Sequence, residues 1–303
     1  KLPLFLTAFI LACITGFLIY HITEINKQKE IALAGEQEAT FVTNFMIDLF
    51  KSASPTENIK DTLTVFDLLK RGKNEIANLD VNFASKRKIL STLAESYSNL
   101  GNYDEAQELY LEAIEILKNS DGEKAQLAEL AYKMGSMHSS RRSFENAANF
   151  YDHALQIIES LPYKEPEMKA DILSGYANAI AELGNSQLAI LFLEESMKLN
   201  NTINRPLKQF RNAKINLAKA YRHNLEYERS EKLYREILRE MDESETIQEI
   251  DKAPLYNNFA YLLKVQGKNR EAILYYQNSH QLLEKVYGDE SWKNRVHLLE
   301  KLI

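Results

Sequence analysis

Two patterns of apolar and polar positions divide the chain. The first is a run without a single charge, Leu2 to Tyr20, reading LPLFLTAFILACITGFLIY. Nineteen helical residues at about 1.5 Å each span roughly 28 Å, the thickness of a bilayer core. The run therefore predicts a membrane-spanning helix. It exceeds the apolar core of a signal peptide, and no small-x-small cleavage pattern closes it. The second pattern, further on, is amphipathic. Leu90, Leu93, Ala94 and Tyr97 recur at helical spacing, and Ala106, Tyr110 and Ala113 do so again after Gly101. The pair predicts two helices folded back on each other across a glycine turn, with small residues where they touch.

That unit repeats. Its turn falls at Gly101, Arg142, Gly184, Leu225 and Gly267, in steps of 41, 42, 41 and 42 residues. The small position on the first helix is Ala94, Gly135, Ala177, Ala218 and Ala260; its counterpart on the second is Ala106, Ala147, Ala189, Ser230 and Ala272. Tyr110, Tyr151, Leu193, Tyr234 and Tyr276 follow at the position that fills space toward the next unit. The pattern resembles tetratricopeptide repeats, and the long step is similar to the roughly 42-residue subtype of kinesin light chains and many bacterial proteins. The fold class expected is all-α: an N-terminal transmembrane helix, then a right-handed α-solenoid of about five helical hairpins. The expected organisation is a membrane helix over 1–20, a helical junction over 21–80, the repeat array over 81–287 and a C-terminal capping helix over 288–303. Within the junction, His21 to Phe50 predicts a helix continuing the membrane span, Ser52 to Thr56 breaks it, and Thr62 to Ala77 predicts a second helix.

The junction carries a further resemblance. The stretch Phe41 to Ile76, FVTNFMIDLFKSASPTENIKDTLTVFDLLKRGKNEI, is similar to the segment after the membrane span in bacterial transmembrane serine/threonine protein kinases with C-terminal repeats. Phe45, Leu49-Phe50, Pro55, Thr64, Leu68-Leu69 and Arg71-Gly72 carry the likeness. It implies a kinase domain on the cytoplasmic side, upstream of Lys1, and a periplasmic repeat array in a single-pass bacterial inner-membrane protein. The chain begins with Lys, not Met, which fits a piece of a longer polypeptide. Two other readings stay open: a stand-alone membrane-tethered adaptor, and the repeat region of a membrane-bound transcription regulator.

Composition narrows the chemistry. A net charge of -6 argues against a nucleic-acid surface. The single cysteine, Cys13, excludes an internal disulfide, and the six histidines form no metal-binding spacing. The sequence has no kinase glycine loop, H-R-D or D-F-G, and no G-x-S-x-G elbow. The chain is therefore expected to be non-catalytic, with no cofactor. The expected partners are a protein or peptide in the concave groove, the membrane through residues 2–20, and a second copy in a homodimer. The groove candidates are Asn178, Asn212, Asn216, Lys219, Arg222, Asn257, Tyr261 and Lys264, on the first helix of the later repeats. Carboxamides both donate to and accept from an extended backbone, and cationic side chains take carboxylates.

Overall fold

The computed structural model describes residues 2–52, 64–76, 82–118, 124–162, 164–244 and 247–287. Among them lie twelve α-helices, one 3-10 turn (Glu249–Lys252) and no strand. The chain divides into two compact units, Lys1–Asn119 and Ser120–Ile303.

The first unit holds α1 (Leu2–Ser52), α2 (Val65–Ile76), α3 (Phe83–Asn99) and α4 (Tyr103–Lys118). α1 runs unbroken through Tyr20 to Ser52, so the first junction helix continues the apolar run as expected. No helix among the described residues is long and apolar enough to cross a membrane. The side chains of the first fourteen residues, which include most of the expected span, lie outside those described.

The far end of α1 packs on α2 and α3, burying Phe45 and Leu49. Thr64 starts α2 with a reciprocal cap. Its hydroxyl accepts from the Asp67 N–H at 3.2 Å, and the Asp67 carboxylate accepts from the Thr64 N–H at 2.9 Å. Leu69 and Ile76 then face inward, and a Cβ on Gly72 would stand 2.8 Å from the Leu49 side chain. Of the residues behind the kinase-junction likeness, Phe45, Leu49, Leu69 and Gly72 thus have packing reasons to be what they are and Thr64 a capping one, while Pro55 lies outside the described residues. The second junction helix is observed over Val65–Ile76; residues 62, 63 and 77 of the expected 62–77 lie outside the described ones.

The second unit holds α5 (Lys124–Ser140), α6 (Phe144–Ser160), α7 (Pro166–Glu182), α8 (Ser186–Thr202), α9 (Leu207–His223), α10 (Tyr227–Asp242), α11 (Ala253–Val265) and α12 (Asn269–Tyr287). Each helix packs on the next, and the odd helices also meet one another, α5 on α7, α7 on α9 and α9 on α11. This is hairpin stacking, in which each pair lends the next a surface to bury against. The small residues read from the sequence are at these contacts: Ala177, Ala189, Ala218, Ser230 and Ala260 are fully buried. Ser230, where the other repeats have alanine, donates its hydroxyl to the Ala218 carbonyl at 2.6 Å. The expected capping helix, 288–303, lies outside the described residues.

All five turns share one geometry. The turn residue is left-handed in each, including the two that are not glycine: Arg142 at φ 61° and Leu225 at φ 63°. At Gly101 the turn N–H bonds the Ser98 carbonyl at 3.0 Å, and Asn102 bonds the Tyr97 carbonyl at 2.9 Å. The same pair of bonds recurs at Arg142, Gly184, Leu225 and Gly267. This Schellman closure satisfies the last carbonyls of the first helix and turns the chain into the second. Three prolines sit at helix starts: Pro166 and Pro254 in the first turns of α7 and α11, Pro206 just before α9.

Candidate functional site

Helices α5, α7 and α9 of the second unit line an open pocket of about 370 Å³. Tyr132, Ser136, Ser139 and Ser140 reach it from α5, Asp171, Ser174 and Asn178 from α7, and Gln209, Asn212 and Asn216 from α9. Its floor includes Tyr151, Gly175, Phe210 and Ala213. Tyr151, on α6, is wedged between two glycines. A Cβ at Gly135 would lie 2.8 Å from its ring and one at Gly175 only 2.6 Å. Two helices can therefore close over one tyrosine because neither carries a side chain there. Burial pushes the Tyr151 phenol above its ordinary value, with the nearby Ser139 and Ser136 hydroxyls opposing it.

The one carboxylate in the lining is already committed. Arg205, in the turn before α9, donates to both oxygens of Asp171 at 2.7 and 2.9 Å, a bidentate pair. It also reaches the Asn200 carboxamide at 3.2 Å. The cavity wall is thus polar with its formal charge balanced.

Of the eight residues singled out in the sequence, Asn178, Asn212 and Asn216 meet in this cavity. Lys219 adjoins it, its Nζ 3.5 Å from the Asn178 carbonyl oxygen. Burial holds the Lys219 ammonium below its usual pKa; Glu182 opposes that and Arg222 reinforces it. Arg222 stacks over the Tyr261 ring at 4.5 Å and meets His223 Nε2 at 2.8 Å. Burial, then the charge of Arg222, lowers His223 in turn. Asn257, Tyr261 and Lys264 belong to α11 and take no part in the cavity. Lys219, Arg222 and Tyr261 thus form a cationic and aromatic ledge beside the neutral chamber.

The serines, Tyr132 and the Asp171–Arg205 pair are lining residues that the sequence did not reveal. A periodicity argument could have found the serines: Ser136 lies one repeat from Asn178, six residues before its turn. Elsewhere His138 is buried and stacked on Phe150 at 5.2 Å. Among the described residues no group of three His, Cys, Asp or Glu comes together to hold a metal.

Hairpins, Schellman turns and stacked odd helices define a tetratricopeptide-repeat helical protein. The tetratricopeptide repeat model matches residues 86–160, and a second model of that description matches 255–292. Solved structures share the fold at low identity. BtubC from P. vanneervenii aligns with a TM-score of 0.60 at 14% identity, over 82% of this chain and 93% of that one. Aspartyl phosphate phosphatase F from Bacillus subtilis gives 0.59 at 15%, over 86% and 65%. The Rap conjugation gene regulator of the plasmid pLS20, solved with the Phr* peptide, gives 0.57 at 15%, over 88% and 78%. Sequence comparison with curated proteins gives no match.

Proposed function

We propose that the second unit is a non-catalytic binding module that holds an extended protein segment on the face of α5, α7, α9 and α11. The observation that carries this reading is the chamber where Asn178, Asn212 and Asn216 converge. Carboxamides offer a donor and an acceptor each, which is what a peptide backbone needs along its length. Beside it, Lys219 and Arg222 give an acidic group on the same segment a place to dock. Lys264, on α11, extends that positive side. The Rap regulator's structure with a peptide supports a peptide as ligand, because it shares this fold.

Alanine at Asn178, Asn212 and Asn216 together should abolish capture of the native partner from detergent-solubilised membranes, with the melting temperature little changed. Unchanged capture would sink the groove reading.

We further propose that the chain is the membrane-anchored sensing or partner-binding part of a bacterial serine/threonine kinase, its repeats in the periplasm. The uncharged run Leu2–Tyr20 and the junction likeness over Phe41–Ile76 support this. Ligand binding or self-association of the repeats would then bring two cytoplasmic domains together. Recovery of the native protein through an antibody to the repeats tests it: a kinase domain should precede Lys1. A protease added outside the inner membrane should digest the repeats. A DNA-binding domain upstream, or repeats protected from the protease, would overturn the assignment.

A further inference from the structure

The chamber is built from pairs. On each of its three helices two uncharged polar residues stand four apart and both line it: Ser136 and Ser140 on α5, Ser174 and Asn178 on α7, Asn212 and Asn216 on α9. Residues four apart on a helix lie on one face, about 6 Å from each other. An extended chain repeats every two residues, about 6.6–6.8 Å. Each pair can therefore meet alternate residues of one extended strand.

Charge has no place in this chamber. Asp171 is neutralised at both oxygens by Arg205, so an incoming ammonium finds no free counter-ion. An incoming carboxylate finds Arg205 likewise already paired. Either ion would lose water without compensation. An apolar group fares badly at the paired positions too, since beyond the Phe210 and Ala213 floor it would strip water from hydroxyls and carboxamides that it cannot pair with. The volume, about 370 Å³, holds roughly a dozen waters, the room of a short run of residues rather than of one side chain. Charge returns only at the edge, where Lys219 approaches Asn178 at 3.5 Å.

We infer that the chamber selects a short run of uncharged, hydrogen-bonding residues (serine, threonine, asparagine or glutamine) in an extended segment, with any acidic residue placed next to the run on Lys219. This rests on the peptide-groove reading and adds the ligand's composition to it.

The test uses the full chain in nanodiscs and synthetic peptides blocked at both ends. Each peptide carries a three-residue core followed by one aspartate, the core being Ser/Asn/Gln, Glu, Lys or Leu. Uncharged polar cores should bind at least tenfold more tightly than the other three. Asn212→Asp, at an exposed position, should reverse the order in favour of Lys cores. Asn201→Asp, exposed on α8 and outside both the chamber and the groove face, should leave the order unchanged. Equal or tighter binding of Glu, Lys or Leu cores overturns the inference, and so does an Asn212→Asp chain that keeps the wild-type order. Tighter binding of a neutral oligosaccharide, run as a parallel probe, also overturns it. Peptides bound without preference sink this inference alone, whereas no binding of any peptide sinks the groove reading as well.

Discussion

At the residue scale, the turns hold the clearest stored strain. A left-handed conformation costs a side-chain-bearing residue about 1–2 kcal/mol relative to glycine. Arg142 and Leu225 bear that cost where Gly101, Gly184 and Gly267 do not. Leu225 also leaves 72% of its surface in solvent, so no burial offsets it. Leu225→Gly should raise stability by about 0.5–1 kcal/mol, after glycine's greater freedom in the unfolded chain is deducted. Gly184→Ala should lower it by a similar amount. Urea unfolding of the two variants measures both. The frame made these positions legible: the 41- and 42-residue steps identify Arg142 and Leu225 as turn residues. Their own identities would not, since neither is a turn former.

Glu231 sets a second expectation at this scale. Burial alone would raise its pKa, but hydrogen bonds from Lys268, Arg235 and Gln266 overcome that and hold it at about 2. A carboxylate lowered on folding stabilises fully above its ordinary value near 4.5, and the contribution fades as pH falls toward 2. The wild type should therefore lose of order 2 kcal/mol across that window through this group. Glu231→Gln should be less stable at neutral pH and show a shallower acid limb. Equal slopes for the two proteins between pH 4.5 and 2 would refute the assignment.

At the element scale, helix contacts are set by where side chains are missing. Gly175→Ala would put a methyl 2.6 Å from the buried Tyr151 ring, and a ring cannot bend aside. The expected cost is about 1–3 kcal/mol, read from thermal or urea melts. Gly72→Ala meets a leucine methyl instead, at 2.8 Å, and a flexible side chain can give way, so the cost should be nearer the lower end. The small positions between paired helices were legible because they repeat in every hairpin. Gly175 was not, because it lies outside that frame and matters only through Tyr151 of the preceding hairpin. The chamber was half legible for a similar reason. Asparagines at first-helix positions announce a polar face. The serines of α5 and the Asp171–Arg205 pair carry no distinctive spacing, and their role depends on which helix lies opposite.

At the scale of the whole molecule, an acidic chain of net charge -6 presents Lys219 and Arg222 on one ledge. Attraction between exposed charges decays over about 10 Å at 0.1 M salt. Peptides with an aspartate beside their neutral run should weaken as salt rises, while peptides without it should hardly respond. Titrations at two ionic strengths separate the cases, and equal salt slopes would remove the ledge from the ligand path. The wedge of Tyr151 between Gly135 and Gly175 reaches further, into how such a sequence can drift. Either glycine can gain a methyl only after the tyrosine has been exchanged for something slimmer, and a slimmer residue first leaves a void. Every one-step route therefore passes through a less stable intermediate, so the three sites should change together or not at all. The double-mutant cycle of Tyr151→Leu with Gly175→Ala should accordingly be far from additive.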